Sequence, residues 1–480
     1  KMSKPFYITT TLPYVNAELH MGHALEFIRA DSVARYHELV GEEVFFNSGT
    51  DEHGSKIFKK AESEGKDVKT FVDENVEKFY ESVKLFGVKN DIHFIRTSDE
   101  RHIKAAQEFW STVEKNGYIY LKNYQTKYCV GCESEKTDSE LVDGKCPDHP
   151  NMELELIDEE NYFFKYSAFT EKLKNFYEKN PNFVIPDFRF NEVRAFVERG
   201  LEDFSISRLK SKMPWGIEVP GNPEHVMYVW FDALVNYIAN VGYPTDMKTF
   251  EKYWKNGTPT QYCGKDNTRF QASMWQAMLM AADLPNSHQI IVNGHITADG
   301  GVKMSKSLGN TVDPKDIARE YGVDALRFFL LKEVSSFEDS PFTLERFKDA
   351  YNAGLANGLG NLTSRILTMA QNNNISTVDS GGVSVFNYKN DFFDNFQIDK
   401  YMNSVWEKIQ NLDKTIQEKE PFKLFKTDFK SAESIVFDLI SDMYIIAKML
   451  APVMPETSKK LLELLNEGKK PEQPLFLRVE

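Results

Sequence analysis

Cysteine is scarce in this chain, and that scarcity excludes a class of structure. Four cysteines among 480 residues cannot staple a disulfide scaffold, which small secreted domains build at much higher density. Long apolar runs are also missing. No stretch of ~18 or more apolar residues is present to cross a membrane as a helix, and the N-terminus lacks the apolar core of a secretory signal. Basic charge is in deficit: 58 Lys and Arg face 72 Asp and Glu, for a net charge of −14. That balance argues against nucleic acid as a general partner, though a large RNA held by a local basic face stays open. No internal repeat is found, and 19 Pro with 26 Gly describe neither a collagenous nor a low-complexity chain. The composition left, 41% hydrophobic, is that of an ordinary globular protein of about three domains. No membrane association and a reducing, cytoplasmic setting are expected.

The first part of the chain reads as alternating strand and helix. Phe6-Tyr7-Ile8-Thr9-Thr10 is β-branched and aromatic, which predicts a buried parallel strand, and Pro13-Tyr14-Val15-Asn16 breaks it. From Gly22 the apolar residues Ala24, Leu25, Ile28, Val33 and Tyr36 recur at near-helical spacing, with Gly41 as the stop. His20 and His23 therefore fall where a strand hands over to a helix N-terminus, the phosphate position of α/β folds. Val44-Phe45-Phe46-Asn47 predicts the next strand, running into the polar string Thr50-Asp51-Glu52-His53-Gly54. Two helical stretches follow.

From 118 to 225 the texture shifts to aromatics and short strand-like pieces, which predicts an insertion splitting a nucleotide-binding domain. Val226-Met227-Tyr228-Val229-Trp230-Phe231 predicts a return of the buried-strand pattern, and Gln289-Ile290-Ile291-Val292 predicts another strand. Further on, from about residue 345, Leu, Ile and Met are spaced for a helical bundle, with a loop expected over Gln371 to Gly382. The expected class is α/β. A Rossmann-like parallel-sheet catalytic domain (1–117 and 226–298) is split by an insertion (118–225), followed by a linking region (299–360) and an all-α domain (361–480).

Two short strings carry the chemistry. His20-Met21-Gly22-His23 places two imidazoles at a helix start, and Lys303-Met304-Ser305-Lys306-Ser307 places two ammonium groups on a loop after Gly300-Gly301. The first alone is a moderate signal, and the second, which fixes five positions, is far rarer; each by itself is readable as a surface helix start or a solvated loop, but together and in this order they are not. A site that grips a polyphosphate without bonding to it covalently needs such groups. Lys1-Met2-Ser3-Lys4 repeats part of the second string but precedes the first strand, and reads as a start Met2 behind a leftover Lys1. A third string, Cys129-x2-Cys132 with Cys146-x2-His149, has the paired spacing of a tetrahedral zinc site. Its four protein ligands leave no open position and so imply a structural metal, one ion per chain. Cys263 stands apart and reads as a small buried residue.

The first two strings resemble the nucleotide-binding motifs of class I aminoacyl-tRNA synthetases. With Thr11-Leu12-Pro13-Tyr14-Val15-Asn16, Tyr228-Val229-Trp230-Phe231-Asp232-Ala233 and the single knuckle, the chain resembles the methionyl-tRNA synthetases over essentially its whole length. The resemblance implies ATP-dependent activation of L-methionine, with Mg²⁺ on the phosphates, and transfer to tRNA(Met), initiator and elongator. It assigns His20, His23, Lys303 and Lys306 to catalysis. Gly22, Glu26, Gly264, Asp266, Ile296 and Lys306 would contact ATP. Thr11, Leu12, Tyr14, Asp51, Trp230, Ala233, Leu234, Tyr237, Asn267 and Gln271 would form the methionine site, Asp51 holding the ammonium. Asn361, Arg365 and Phe422 would read the anticodon.

Four positions depart from the family pattern. Many members carry an aliphatic residue in place of Asn267, His in place of Gln271, His-Gly in place of Asn293-Gly294, and Trp in place of Phe422. Phe422 could also be bundle core. Gln271 can still hydrogen-bond a neighbouring Tyr hydroxyl. Three other readings stay open: a class I synthetase for cysteine, a nucleotidyltransferase, and a synthetase-like binding protein. No editing domain is evident, and the end at Glu480 without an appended domain implies a monomer.

Overall fold

A computed structural model describes residues 4–89, 91–302, 304, 310–377 and 390–480. The chain packs as two compact units, neither contiguous in sequence. One comprises Lys1–Leu19, Glu43–Glu81 and Asn90–Val292; the other comprises His20–Glu42, Ser82–Lys89 and Asn293–Glu480.

The first unit is built on a six-stranded sheet. Its strands are β1 (Phe6–Thr9), β2 (Val44–Thr50), β3 (His93–Arg96), β4 (Val184–Ile185), β5 (Thr258–Gly264) and β6 (Gln289–Asn293), in the order β3-β2-β1-β5-β6-β4. β1 pairs in parallel with both β2 and β5, so all four of its residues are buried. A strand covered on both faces reads as a continuous apolar run instead of an alternating one. From β1 the strand order runs outward to β2 and β3 on one side and to β5 on the other. This is a topological switch point, and α/β sheets bind ligands in the crevice beyond the carboxyl ends of such strands. Tyr7 fixes the centre: its ring stacks on Phe45 at 5.6 Å and meets Trp254 edge-on, and its hydroxyl donates to the Tyr237 carbonyl at 2.8 Å.

Val226–Phe231 is not a strand of this sheet, contrary to the sequence expectation. Asn222–Met227 belongs to a separate three-stranded antiparallel sheet, and Val229–Leu234 is a helix. Short apolar runs do not separate a buried strand from a buried helix. The strand that rejoins the main sheet is β5, whose sequence Thr-Pro-Thr-Gln-Tyr-Cys-Gly hides it, since Pro259 and Gln261 weaken the strand pattern. The segment between β2 and residue 118 also holds three helices (Ser55–Ser63, Val68–Leu85 and Glu100–Lys115) and the edge strand β3, where two helices were expected.

Within 118–225, β4 joins the edge of the main sheet beside β6. The rest is dominated by a long antiparallel hairpin, Ile119–Cys129 against Glu155–Phe164, in register from Ile119↔Phe164 to Tyr128↔Glu155. The Cys/His string is the loop at its tip.

The second unit is helical, as expected beyond residue 345. α1 (Met21–Leu39) is joined by helices that include Val323–Phe328, Asn361–Asn372, Ile398–Lys419, Phe429–Met449 and Pro455–Glu467. Tyr401, Val405, Ile409, Leu412 and Ile416 supply the buried stripe of the longest one. Arg327 is the polar keystone of this unit. Fully buried, its guanidinium pairs with Asp31 at 2.8 Å and donates to the Val453 carbonyl at 2.7 Å and to Ser32 Oγ at 3.0 Å. The loop expected over Gln371 to Gly382 begins later than expected, because the helix runs on to Asn372; residues 378–382 lie outside the described residues.

Candidate active site and metal centre

In the first unit, the carboxyl ends of β1, β2 and β5 carry Thr11, Leu12, Tyr14, Asp51 and Asn267, half of the residues assigned to methionine. Just beyond β1, Tyr14 bridges to Asp51 beyond β2; Asp51 N–H donates to the Pro13 carbonyl at 3.0 Å and Val15 N–H to the Asp51 carbonyl at 3.3 Å. Asp51 is buried, and its Oδ1 has no hydrogen-bond partner among the described residues. Burial pushes its carboxyl well above the usual range, and the charges of Asp232 and Glu133 add to the shift. A buried carboxylate with an unmet oxygen is a strong acceptor for an ammonium group.

The neighbours of Asp51 in sequence are turned elsewhere. Glu52 takes two hydrogen bonds from Arg96, at 2.7 and 2.9 Å. His53 Nδ1 lies 2.6 Å from Asp232 Oδ2, while Asp232 Oδ1 lies 2.6 Å from His102 Nε2. Burial acts to raise the Asp232 carboxyl, but the two imidazoles outweigh it and hold the group below its usual range.

Trp230, Ala233, Leu234 and Tyr237 fall at i, i+3, i+4 and i+7. The helical path from Val229 through the short helix Asn236–Ala239 therefore sets them on one face. Trp230 stacks on Phe270, with centroids 3.9 Å apart and planes 2° from parallel. Leu12 and Tyr14 pack against the same core as Trp230. Tyr14 is anchored from the knuckle: its hydroxyl donates to Glu133 Oε2, and the Glu133 carbonyl accepts from Tyr228 at 2.6 Å. Burial pushes the Glu133 carboxyl up to about 7. Gln271 is fully buried and its Nε2 donates to the Tyr237 hydroxyl at 2.6 Å, as its amide chemistry allows. Gly264 ends β5, while Asp266 and Asn267 lie in the single turn after it. Thr11 is half-buried in the segment after β1.

In the second unit, His20 caps α1. Its Nδ1 accepts from Gly22 N–H at 3.0 Å, while His23 Nδ1 accepts from His20 N–H at 3.1 Å, a reciprocal capping box with the rings 3.8 Å apart. A Cβ on Gly22 would stand 2.9 Å from His20 Cε1, so glycine lets the ring fold over the helix start. Glu26 is buried one turn further along, and Ile296 is half-buried in a two-residue strand paired with Ser340–Pro341. Buried Arg29 donates to Asn293 Oδ1 at 2.7 Å and to the carbonyls of Ser335 and Ser336 at 2.6 and 3.0 Å. Gly294 is forced, because a Cβ there would meet the Glu338 backbone at 2.2 Å. Lys303 and Lys306 lie outside the described residues.

Asn361 is exposed and Arg365 half-buried, one turn apart on Asn361–Asn372, and Arg365 pairs with Asp413. Phe422 is 45% exposed. It is therefore not bundle core, and the Lys423 ammonium lies over its ring, 6.0 Å from the centroid.

The cysteine-histidine string forms a cluster. The ligand atoms of Cys129, Cys132, Cys146 and His149 all lie within 4.8 Å of one another. Cys132 Sγ is 3.4 Å from Cys146 Sγ and 3.2 Å from His149 Nδ1, and Cys129 Sγ is 3.8 Å from His149 Nδ1. The edges of a tetrahedron of three sulfurs and one nitrogen around zinc are about 3.5–3.8 Å long at ordinary bond lengths, and these three separations lie near that range, so the donor types and spacing are consistent with the ion. The cluster can hold a metal, and its four protein donors leave no room for substrate.

Sequence reasoning missed Phe270, Gln261, Glu133, His102 and the roles of His53 and Asp232. Only Asp232 and His53 lay within strings already singled out; the rest gave no local signal.

The family model of class I tRNA synthetases (M) matches residues 6–154 and 150–367. The methionine–tRNA ligase of Caldanaerobacter subterraneus subsp. tengcongensis is 39% identical over 97% of this chain and 74% of its own length. That of a Nostoc species is 38% identical over 98% and 91%. Among solved structures, Mycobacterium tuberculosis methionyl-tRNA synthetase in complex with methionyl-adenylate superposes with a TM-score of 0.89 at 36% identity, covering 98% of this chain and 95% of that one. Likeness of this extent, in sequence and in fold together, shows that the chain belongs to the methionine–tRNA ligases among the class I tRNA synthetases.

Proposed function

We propose that the aromatic cluster around Trp230 in the first unit is where this ligase receives L-methionine, with Asp51 holding the ammonium and Tyr14, Leu12, Trp230, Ala233, Leu234 and Tyr237 around the thioether side chain. Thr11, Asn267 and Gln271 complete the pocket. The observation that carries the reading is the buried Asp51 carboxylate with an unmet oxygen, beside Tyr14 and in the same unit as the Trp230–Phe270 stack. A long, polarizable thioether packs well against such walls.

The substrate carboxylate attacks the α-phosphorus of ATP, forming the mixed anhydride as pyrophosphate leaves. The terminal ribose hydroxyl of tRNA then attacks the acyl carbon, and AMP leaves. No protein nucleophile is needed; the protein's work is charge neutralisation and alignment. His20, His23, Lys303 and Lys306 are assigned to the phosphates, where magnesium accompanies ATP. Gly22, Glu26, Gly264, Asp266 and Ile296 are assigned to the rest of the nucleotide. Asn361, Arg365 and Phe422 are assigned to the anticodon of initiator and elongator tRNA(Met). Cys129, Cys132, Cys146 and His149 would hold zinc, which supplies a structural crosslink at the hairpin tip. The division at 117, 225, 298 and 360, a monomeric state and a cytoplasmic location belong to the same proposal.

ATP–pyrophosphate exchange tests the pocket. Asp51→Asn and Trp230→Ala raise the KM for methionine about tenfold or more and leave the KM for ATP within about twofold. An unchanged methionine KM in both variants overturns the assignment.

A further inference from the structure

Gln261 sits at the centre of β5, fully buried, in a chain of polar side chains that ends at Tyr237. Gln271 and Gln276 are also fully buried, and Ser287 and Tyr237 nearly so. Three glutamines in an apolar core are costly unless every end is paired, and here the pairing has a direction.

The direction starts at a group that can only donate. Ser287 backbone N–H donates to Gln276 Oε1 at 3.0 Å, and the Asn286 amide donates to the same oxygen at 3.1 Å. The other end of Gln276 must then be its NH₂, which donates to Ser287 Oγ at 3.0 Å and to the Gln271 carbonyl at 2.9 Å. Ser287 Oγ passes its own hydrogen to Gln261 Oε1. Gln261 Nε2 therefore faces Gln271 and donates to Oε1, which leaves Gln271 Nε2 to donate to the Tyr237 hydroxyl at 2.6 Å. One backbone N–H thus sets the orientation of three amides, and each bond polarises the next. At the end of the relay Tyr237 is an acceptor from the protein, so whatever its own hydrogen meets, it meets as a donor.

We propose that Gln261 is a positioning residue for selection of the substrate's sulfur. By fixing which end of the Gln271 amide faces Tyr237, it makes the Tyr237 hydroxyl a donor toward the substrate side chain. This rests on the placement of Tyr237 in the methionine pocket. A thioether sulfur accepts a weak hydrogen bond, while a methylene in its place accepts none. With the amide reversed, the Tyr237 hydrogen would be drawn to the Gln271 oxygen and that distinction would be lost.

The test is ATP–pyrophosphate exchange driven by methionine and, separately, by norleucine, in which CH₂ replaces the sulfur. Gln261→Met removes the relay's central amide at similar volume. It lowers kcat/KM for methionine about tenfold and leaves that for norleucine within about twofold. Gln261→His, assayed near pH 8 where imidazole is neutral with one acceptor and one donor, keeps the polarity and restores the preference. Ser287→Ala removes the donor that holds Gln261 Oε1 and shifts the preference the same way, so the test stands even if Gln261→Met fails to fold. Equal losses for the two substrates, or an unchanged preference in both Gln261→Met and Ser287→Ala, overturn the proposal. Tyr237→Phe separates the two levels. If it leaves the preference unchanged, the placement of Tyr237 in the pocket fails; if it lowers the preference while the Gln261 and Ser287 variants do not, only the relay fails.

Discussion

Gly131 offers a sharp test of whether the cysteine-histidine cluster is a metal centre or a set of free side chains. It lies between Cys129 and Cys132, and a Cβ built on it would stand 2.4 Å from His149 Cδ2, 2.5 Å from Cγ and 2.8 Å from Nε2. Ordinary contact begins at 3.4 Å, so in Gly131→Ala the imidazole has to retreat by about 1 Å. The φ of Gly131 is outside the left-handed range, so alanine is not excluded by the backbone itself. A free histidine would swing aside at little cost. A ring bound to zinc cannot, because a Zn–N bond of about 2.0–2.1 Å tolerates deviations of only about 0.2 Å. The assay is zinc content per chain after gel filtration, followed by competition with a chromophoric chelator. The wild type should retain one zinc per chain, and Gly131→Ala should lose at least about tenfold in zinc affinity. A variant holding stoichiometric zinc with unchanged affinity would falsify the four-ligand site.

Three further outcomes are expected. Because burial first, and then the charges of Asp232 and Glu133, hold the Asp51 carboxyl well above its usual range, the ionised form proposed to bind the substrate ammonium grows as pH rises. The KM for methionine should fall across that titration, and Asp51→Asn should flatten the profile; a wild-type KM independent of pH contradicts it. Arg327→Met removes one partner of a buried pair and should cost about 3–5 kcal/mol in urea unfolding. Arg35→Met, whose salt bridge to Asp31 is partly exposed, should cost much less, and equal losses refute the keystone role. Lys306→Ala should slow adenylate formation in single-turnover assays while methionine binding stays nearly intact; an unchanged rate removes Lys306 from the mechanism.

The parts legible in the sequence were those whose signal is local. β1, α1, β2 and β6 each carry one uniform pattern, and the Cys/His spacing states a ligand set without any knowledge of the fold. The helix bearing Trp230 was misread as a strand because the run Val226 to Phe231 is apolar throughout, although the i, i+3, i+4, i+7 spacing of Trp230, Ala233, Leu234 and Tyr237 was in view. β5 was missed because its centre is Gln261, a residue that belongs there only once the relay to Tyr237 is known. The remaining contacts are long-range. Tyr14 and Glu133 are 119 positions apart and His53 and Asp232 are 179 apart, and periodicity does not bring such pairs together.

The most direct test of the central claim is ATP–pyrophosphate exchange with each of the twenty amino acids offered singly, without tRNA. The account predicts exchange with methionine and with none of the other nineteen, despite the departures at Asn267 and Gln271. Exchange driven by a different amino acid, or by none, would contradict it.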